Sequence, residues 1–338
     1  MSKKLLLIAT GGTIASRPAE DGLTPEMTSE ELLQCIPEVR SLCEIDTVQP
    51  FNLDSTNMRP ENWVELVKII RENYERYDGF VITHGTDTMA YAAATLYYLI
   101  QNSPKPVVLT GSQVSIYARD TDARENLRNA VIYAADDDAC GIHLVFDNKV
   151  ICANRAQKTR TRSFNAFSSI DYPEVAVIRG GEVRYYIRES FPGPVRFYDR
   201  LDSRVCVIKL IPGMASGILD YVAEHARAVI IESFGVGGLP SYQGSGFERV
   251  LREAMEAEKT IVMTTQVQNE GSNLSVYDVG FHLKNDLHLL EAYDMTTEAV
   301  VAKLMWILGQ TRDPAEIRRL FCTPVSYDLL YLKREDKA

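Results

Sequence analysis

The chain lacks most of the signatures that mark a cofactor or a membrane protein. Its six cysteines, Cys35, Cys43, Cys140, Cys152, Cys206 and Cys322, include no C-x-x-C pair, so neither a zinc ribbon nor a dithiol centre is indicated. The five histidines stand at no metal-ligand spacing, and no metal or other cofactor is expected. Gly11-Gly12-Thr13 fits neither Gly-x-Gly-x-x-Gly nor Gly-x-x-x-x-Gly-Lys-Ser/Thr, which argues against a nucleotide-binding protein. No apolar stretch approaches the roughly 20 residues that span a bilayer. The longest, from Ala90 to Ile100, is shorter and helical in pattern. Two lysines precede Leu5, but the apolar run stops at Thr10-Gly11-Gly12, too short for the core of a signal peptide. Positive charge is scarce: 36 Lys and Arg face 46 Asp and Glu, a net charge of −10. Such a surface repels phosphate backbones, so nucleic acid is a poor candidate partner. Scattered cysteines without an export signal suggest the reducing cytoplasm. Internal repeats and low-complexity segments are absent too.

What is present is an ordinary globular balance, 46% hydrophobic and 24% charged over 338 residues, long enough for two domains. Short aliphatic runs alternate with amphipathic segments. Strands are predicted over 4–10, 44–49, 79–83, 106–110, 142–146 and 150–154, and helices over 29–35, 60–77, 88–101 and 123–135. Pro60 opens the second helix, with Trp63, Leu66, Val67 and Ile70 at i, i+3, i+4, i+7. Strands alternating with helices predict an α/β fold with a doubly wound, mostly parallel sheet. Phe191-Pro192-Gly193-Pro194 then breaks any regular element. Domains are therefore placed at 1–188 and 205–338, joined by a linker over 189–204. The second, smaller α/β domain restarts the pattern, with strands over 205–211, 228–232 and 260–265 and helices over 216–224, 247–257, 297–309 and 314–321.

Open α/β sheets bind ligands beyond the carboxyl ends of their strands. Four of those ends carry candidate chemistry: Thr10-Gly11-Gly12-Thr13, the Asp54-Ser55 segment, His84-Gly85-Thr86-Asp87, and Arg155-Ala156-Gln157-Lys158. A threonine hydroxyl is a weak nucleophile that needs a base or a cation nearby and a place for the developing oxyanion. A lysine held against a threonine and oriented by an aspartate can relay its proton. Asp87 could instead, or also, pair with a cationic group of a substrate. Each fragment alone has a plainer explanation. Gly-Gly-Thr is commonly a strand-to-loop turn, Thr86-Asp87 a helix N-terminal pair, and Asp54-Ser55 a polar turn. Lys158 opens the run Lys158-Thr159-Arg160-Thr161-Arg162, normally a solvated basic loop. His84 reads as structural.

In combination, Thr10-Gly11-Gly12-Thr13-Ile14-Ala15 and His84-Gly85-Thr86-Asp87-Thr88-Met89 resemble the two signature motifs of the bacterial-type L-asparaginase family. Asp54-Ser55, Asn154-Arg155-Ala156-Gln157-Lys158, Glu232-Ser233-Phe234-Gly235-Val236-Gly237 and Asp294-Met295-Thr296-Thr297-Glu298-Ala299 extend the resemblance over nearly the whole chain. The absence of a signal peptide is similar to the cytoplasmic type I branch. On the residues alone either threonine could attack. The resemblance implies Thr13 as nucleophile, with Thr86, Asp87 and Lys158 as the proton-handling set. It also implies substrate binding by Gly12, Asp54, Ser55, Gly85, Thr86 and Asp87. Ser55 would hold the α-carboxylate and Asp87 the ammonium of L-asparagine, with minor action on L-glutamine. It further implies a flavodoxin-like N-terminal domain and a homodimer or homotetramer whose active sites lie between chains. Two features depart from the family. Leu23 stands where many relatives carry a loop tyrosine, by the Gly22-Leu23-Thr24-Pro25 frame. Glu232 and Val267 replace the arginine and cysteine types of an effector asparagine site, so activation by asparagine is expected to be weak or absent. A tRNA-dependent amidotransferase subunit shares this fold but carries a domain before its Gly-Gly-Thr motif, whereas nine residues precede Thr10 here.

Overall fold

The computed structural model describes residues 2–19, 22–191, 193–242, 245–276 and 289–331, and divides into two compact units, Met1–Asp199 and Arg200–Ala338. The first is built on an eight-stranded sheet. Five parallel strands run across it in the spatial order Cys43–Val48, Lys3–Ala9, Gly79–Thr83, Val107–Thr110, Ile142–Phe146. By chain order this is 2-1-3-4-5, the flavodoxin-like arrangement. Leu5, Leu6, Leu7 and Ile8 are all buried. A run this apolar suits a strand covered on both faces, not one that alternates. The helix Pro60–Asn73 buries Trp63, Leu66, Val67 and Ile70, the stripe its spacing predicts. Each of those side chains contributes roughly 1.5–3 kcal/mol by leaving water. The helix ends before residue 77 because its last turn tightens, with the Tyr74 amide donating to Arg71 O. Met89–Leu99 has no polar face; ten of its eleven residues are buried.

The sheet is not parallel throughout. After Phe146 the chain reverses through Asp147 and Asn148, at φ 50° and 63°, a two-residue hairpin turn. Lys149–Cys152, Ala176–Arg179 and Glu182–Tyr185 complete the sheet antiparallel. The last two were not foreseen. Ile100–Gln101, expected as the end of a helix, instead pairs with Arg196–Phe197.

The second unit has four parallel strands in sequential order, Val205–Lys209, Ala228–Ser233, Thr260–Thr265 and Leu290–Glu291. Helix Phe247–Glu256 presents Phe247, Val250, Leu251 and Ala254 to a core that includes Val229, Ile231, Met263 and Leu274. Asp313 caps the helix Pro314–Cys322 by accepting from the Ala315 amide, and Thr296 caps Thr297–Gln310. No helix among the described residues is long and apolar enough to cross a membrane.

Candidate active site

In the 2-1-3-4-5 order the connections reverse direction between strands 1 and 3, here Lys3–Ala9 and Gly79–Thr83. Their carboxyl ends open a crevice, and each carries one of the two threonine motifs. The ends are tied together. The Thr10 amide and hydroxyl both donate to Thr83 O, at 3.1 and 2.8 Å. On the other side Leu53 N donates to Thr10 O and Gly12 N to Leu53 O, both at 2.9 Å. Gly12 has φ +79°, and a Cβ there would lie 2.5 Å from Gly85 Cα. A Cβ on Gly85 would in turn lie 2.6 Å from Ser55 Oγ. Only glycine permits these backbones to meet. Thr13 and Thr86, each the residue after one of the touching glycines, are thereby set beside one crevice, with Ser55 packed against Gly85. Among the described residues the half-buried Thr13 hydroxyl makes no hydrogen bond.

Thr86 is buried, and Lys158 Nζ donates to its Oγ1 at 2.8 Å and to Asp87 Oδ1 at 2.6 Å. Three residues from two distant segments so form one hydrogen-bonded set. Lys158 does not lie in a solvated loop: it ends the strand Ala156–Lys158, which pairs antiparallel with Phe167–Ser169, Lys158 opposite Phe167. Its side chain is 17% exposed, that of Asp87 61%. One face of the pair therefore remains open to a ligand. Asp54 is engaged differently. Its Oδ1 accepts from the Thr56 amide and hydroxyl at 2.8 and 2.9 Å, closing the turn that presents Ser55. Thr88 Oγ1 fastens that turn by donating to Ser55 O at 2.8 Å. The side chains of residues 18–25, Leu23 among them, lie outside the described residues.

His84 is fully buried, with Nδ1 against Gly85 O at 2.8 Å and no partner for Nε2 among the described residues. Burial pulls its imidazole down to about 4, so it stays neutral in the wall of the crevice. Sequence reasoning passed over one residue here, Gln113, whose Oε1 accepts from Thr86 Oγ1 at 3.1 Å. It follows the strand Val107–Thr110, and the strand-end rule applied to that strand would have found it. In the second unit, Glu232 Oε1 accepts from Thr297 Oγ1 at 2.7 Å, and Val267 is exposed. Among the described residues no group of His, Cys, Asp and Glu could hold a metal ion.

Residues 4–190 match the family described as asparaginase, N-terminal, and residues 204–321 the glutaminase/asparaginase C-terminal domain. The chain belongs to the asparaginase family. It is similar to the L-asparaginase of Thermococcus kodakarensis, 40% identical over 94% of this chain and 96% of that one. The solved structure of the thermostable L-asparaginase from that organism superposes with a TM-score of 0.91, 38% identity and coverage of 97% and 99%. L-asparaginase 1 of Escherichia coli is 32% identical, over 94% and 96% of the two chains. A probable cytoplasmic L-asparaginase of Campylobacter jejuni superposes at 0.81 with 27% identity, over 94% and 99%. A glutamyl-tRNA(Gln) amidotransferase polypeptide of Pyrococcus furiosus is 33% identical over 94% of this chain but 75% of its own. The asparaginase fold thus accounts for both units, the large parallel-rich one and the smaller one.

Proposed function

We propose that this chain hydrolyses L-asparagine to L-aspartate and ammonia at the crevice between the first and third strands. The observation that carries the proposal is the Thr86–Lys158–Asp87 hydrogen-bonded set at the strand end whose glycine packs on the Gly12 that precedes Thr13. Thr13 Oγ attacks the side-chain amide carbon of the substrate. Its proton passes to the leaving nitrogen as the C–N bond breaks, and a β-aspartyl ester and ammonia result. Water then adds to the ester as a proton passes through Thr86 and Lys158 to Thr13 Oγ, and the C–O bond to Thr13 breaks to free aspartate. The Lys158 ammonium also faces the negative charge that develops at each tetrahedral stage. Asp87, more than half exposed beside Lys158, holds the substrate ammonium, and Ser55 its α-carboxylate. Gly12 and Gly85 let the ligand approach the backbone. No cofactor takes part.

The enzyme works in the cytoplasm, consistent with its six free cysteines, and as a homodimer or homotetramer. L-glutamine is a minor substrate. Ammonia release by the purified protein with L-asparagine and, separately, L-glutamine tests the proposal. Rapid release from asparagine and slower release from glutamine are expected. No release from asparagine would overturn it.

A further inference from the structure

Among the described residues Thr86 Oγ1 has two polar neighbours, and their chemistry fixes where its proton points. A lysine ammonium can only donate, so the 2.8 Å contact from Lys158 Nζ uses a lone pair of Oγ1. The single hydroxyl proton then goes to Gln113 Oε1 at 3.1 Å. The amide orientation of Gln113 follows from its other end. Its Nε2 faces two carbonyl oxygens, Arg160 O at 3.5 Å and Ser163 O at 3.3 Å. Flipping the amide would aim its oxygen at both of these acceptors and leave its NH2 toward a hydroxyl that Lys158 already contacts.

Gln113 is held from below as well. Its backbone N–H donates to both oxygens of Asp122, at 2.9 and 3.1 Å, and the Val114 backbone N–H donates to Asp122 Oδ1 at 3.1 Å. Asp122 is buried and accepts a further bond from Asn126 Nδ2 at 3.1 Å. The same loop reaches the other threonine's strand end. Ile116 N donates to Ile14 O at 3.4 Å, the Ser115 hydroxyl donates to Ser16 O, and Tyr117 OH accepts from Arg17 Nε at 2.9 Å.

We propose that Gln113 is a positioning residue for the hydrolysis proposed above. Its amide oxygen parks the Thr86 hydroxyl proton, and so keeps a Thr86 lone pair on Lys158 until Lys158 Nζ gives a proton to the Thr13 oxygen leaving the ester and takes the Thr86 proton, which the attacking water replaces. The 112–117 loop thereby registers the Thr86 side of the site against the Thr13 side.

The test compares kcat and KM for L-asparagine in Gln113→Leu, which removes the acceptor at similar volume, and Gln113→Glu, which keeps acceptor oxygens at the same reach. Gln113→Leu should lower kcat by about 10-fold or more, as expected for a misplaced relay group, with KM within about 3-fold and an unchanged melting temperature. Gln113→Glu should recover part of the lost kcat, because it restores the acceptor for Thr86 but sets its second oxygen against Arg160 O and Ser163 O. Should Gln113→Leu fail to fold, Gln113→Met makes the same comparison. An effect on KM alone, equal losses in the acceptor-keeping and acceptor-free variants, or an acceptor-free variant turning over like wild type would overturn the role of Gln113. Wild-type protein that releases no ammonia would overturn the hydrolysis and this role together.

Discussion

Lys158 and Arg160 sit two residues apart in a run of alternating cations and threonines, yet the fold separates them. Lys158 ends a paired strand and turns onto Thr86 and Asp87. Arg160 is exposed, its Nη1 on Thr159 Oγ1 at 3.3 Å and Asn165 O at 3.0 Å. Lys158→Met keeps the stem and removes the amine, and should cut turnover at least about 100-fold, the lower range for a positioned acid–base group. Arg160→Met removes the same charge from the same segment and should change turnover little. Equal small effects in steady-state assays would remove Lys158 from the mechanism. Little in the local composition distinguishes these two residues. Lys158 is singled out by a strand pairing with Phe167–Ser169, a non-local fact that one sequence does not display. Thr13 and Thr86 are legible because each follows a strand whose burial is written in its own aliphatic run. Gln113 was equally accessible by that rule, but it lacks the charge or the glycine neighbours that draw attention to a strand end.

At the scale of elements, the strands with buried aliphatic runs were legible, and Gly79–Thr83, Ile142–Phe146 and Thr260–Thr265 have the bounds their sequences predict. The hairpin Ala176–Arg179 with Glu182–Tyr185 was not, because its outer strand alternates half-buried and exposed residues and offers no apolar run. Strand packing also buries His84, where it meets a pH limit. Its imidazole is held down at about 4 from an ordinary 6.5 because burial disfavours the cation. Between those values the unfolded chain binds the extra proton and the folded chain does not. Stability from this group is therefore full above pH 6.5 and falls as pH drops toward 4, by up to about 3 kcal/mol. Denaturant unfolding at pH 7 and pH 4.5 should show the loss, and His84→Asn, whose amide can still donate to Gly85 O, should lose distinctly less on acidification. An unchanged pH slope in that variant would clear His84 of the effect.

At the scale of the whole molecule, the alternation of strands and helices read from the sequence corresponds to a 2-1-3-4-5 sheet whose switch point carries both threonine motifs. Assembly is a separate question. Ile211, Ile218, Tyr221, Tyr242 and Val267 of the second unit are all exposed, apolar surface that a second copy of the chain would cover. The active species should accordingly be at least a dimer, and sedimentation at assay concentration would show it. A fully active monomer would refute that expectation. The central claim, hydrolysis through a threonine ester, is met most directly by acid-quenching the protein during turnover of L-asparagine and mapping the modified peptide by mass. The account predicts an aspartyl ester on Thr13, accumulating further in Lys158→Met because that residue serves the water step. Ammonia release with the ester on Thr86, or with no ester on either threonine, would contradict it.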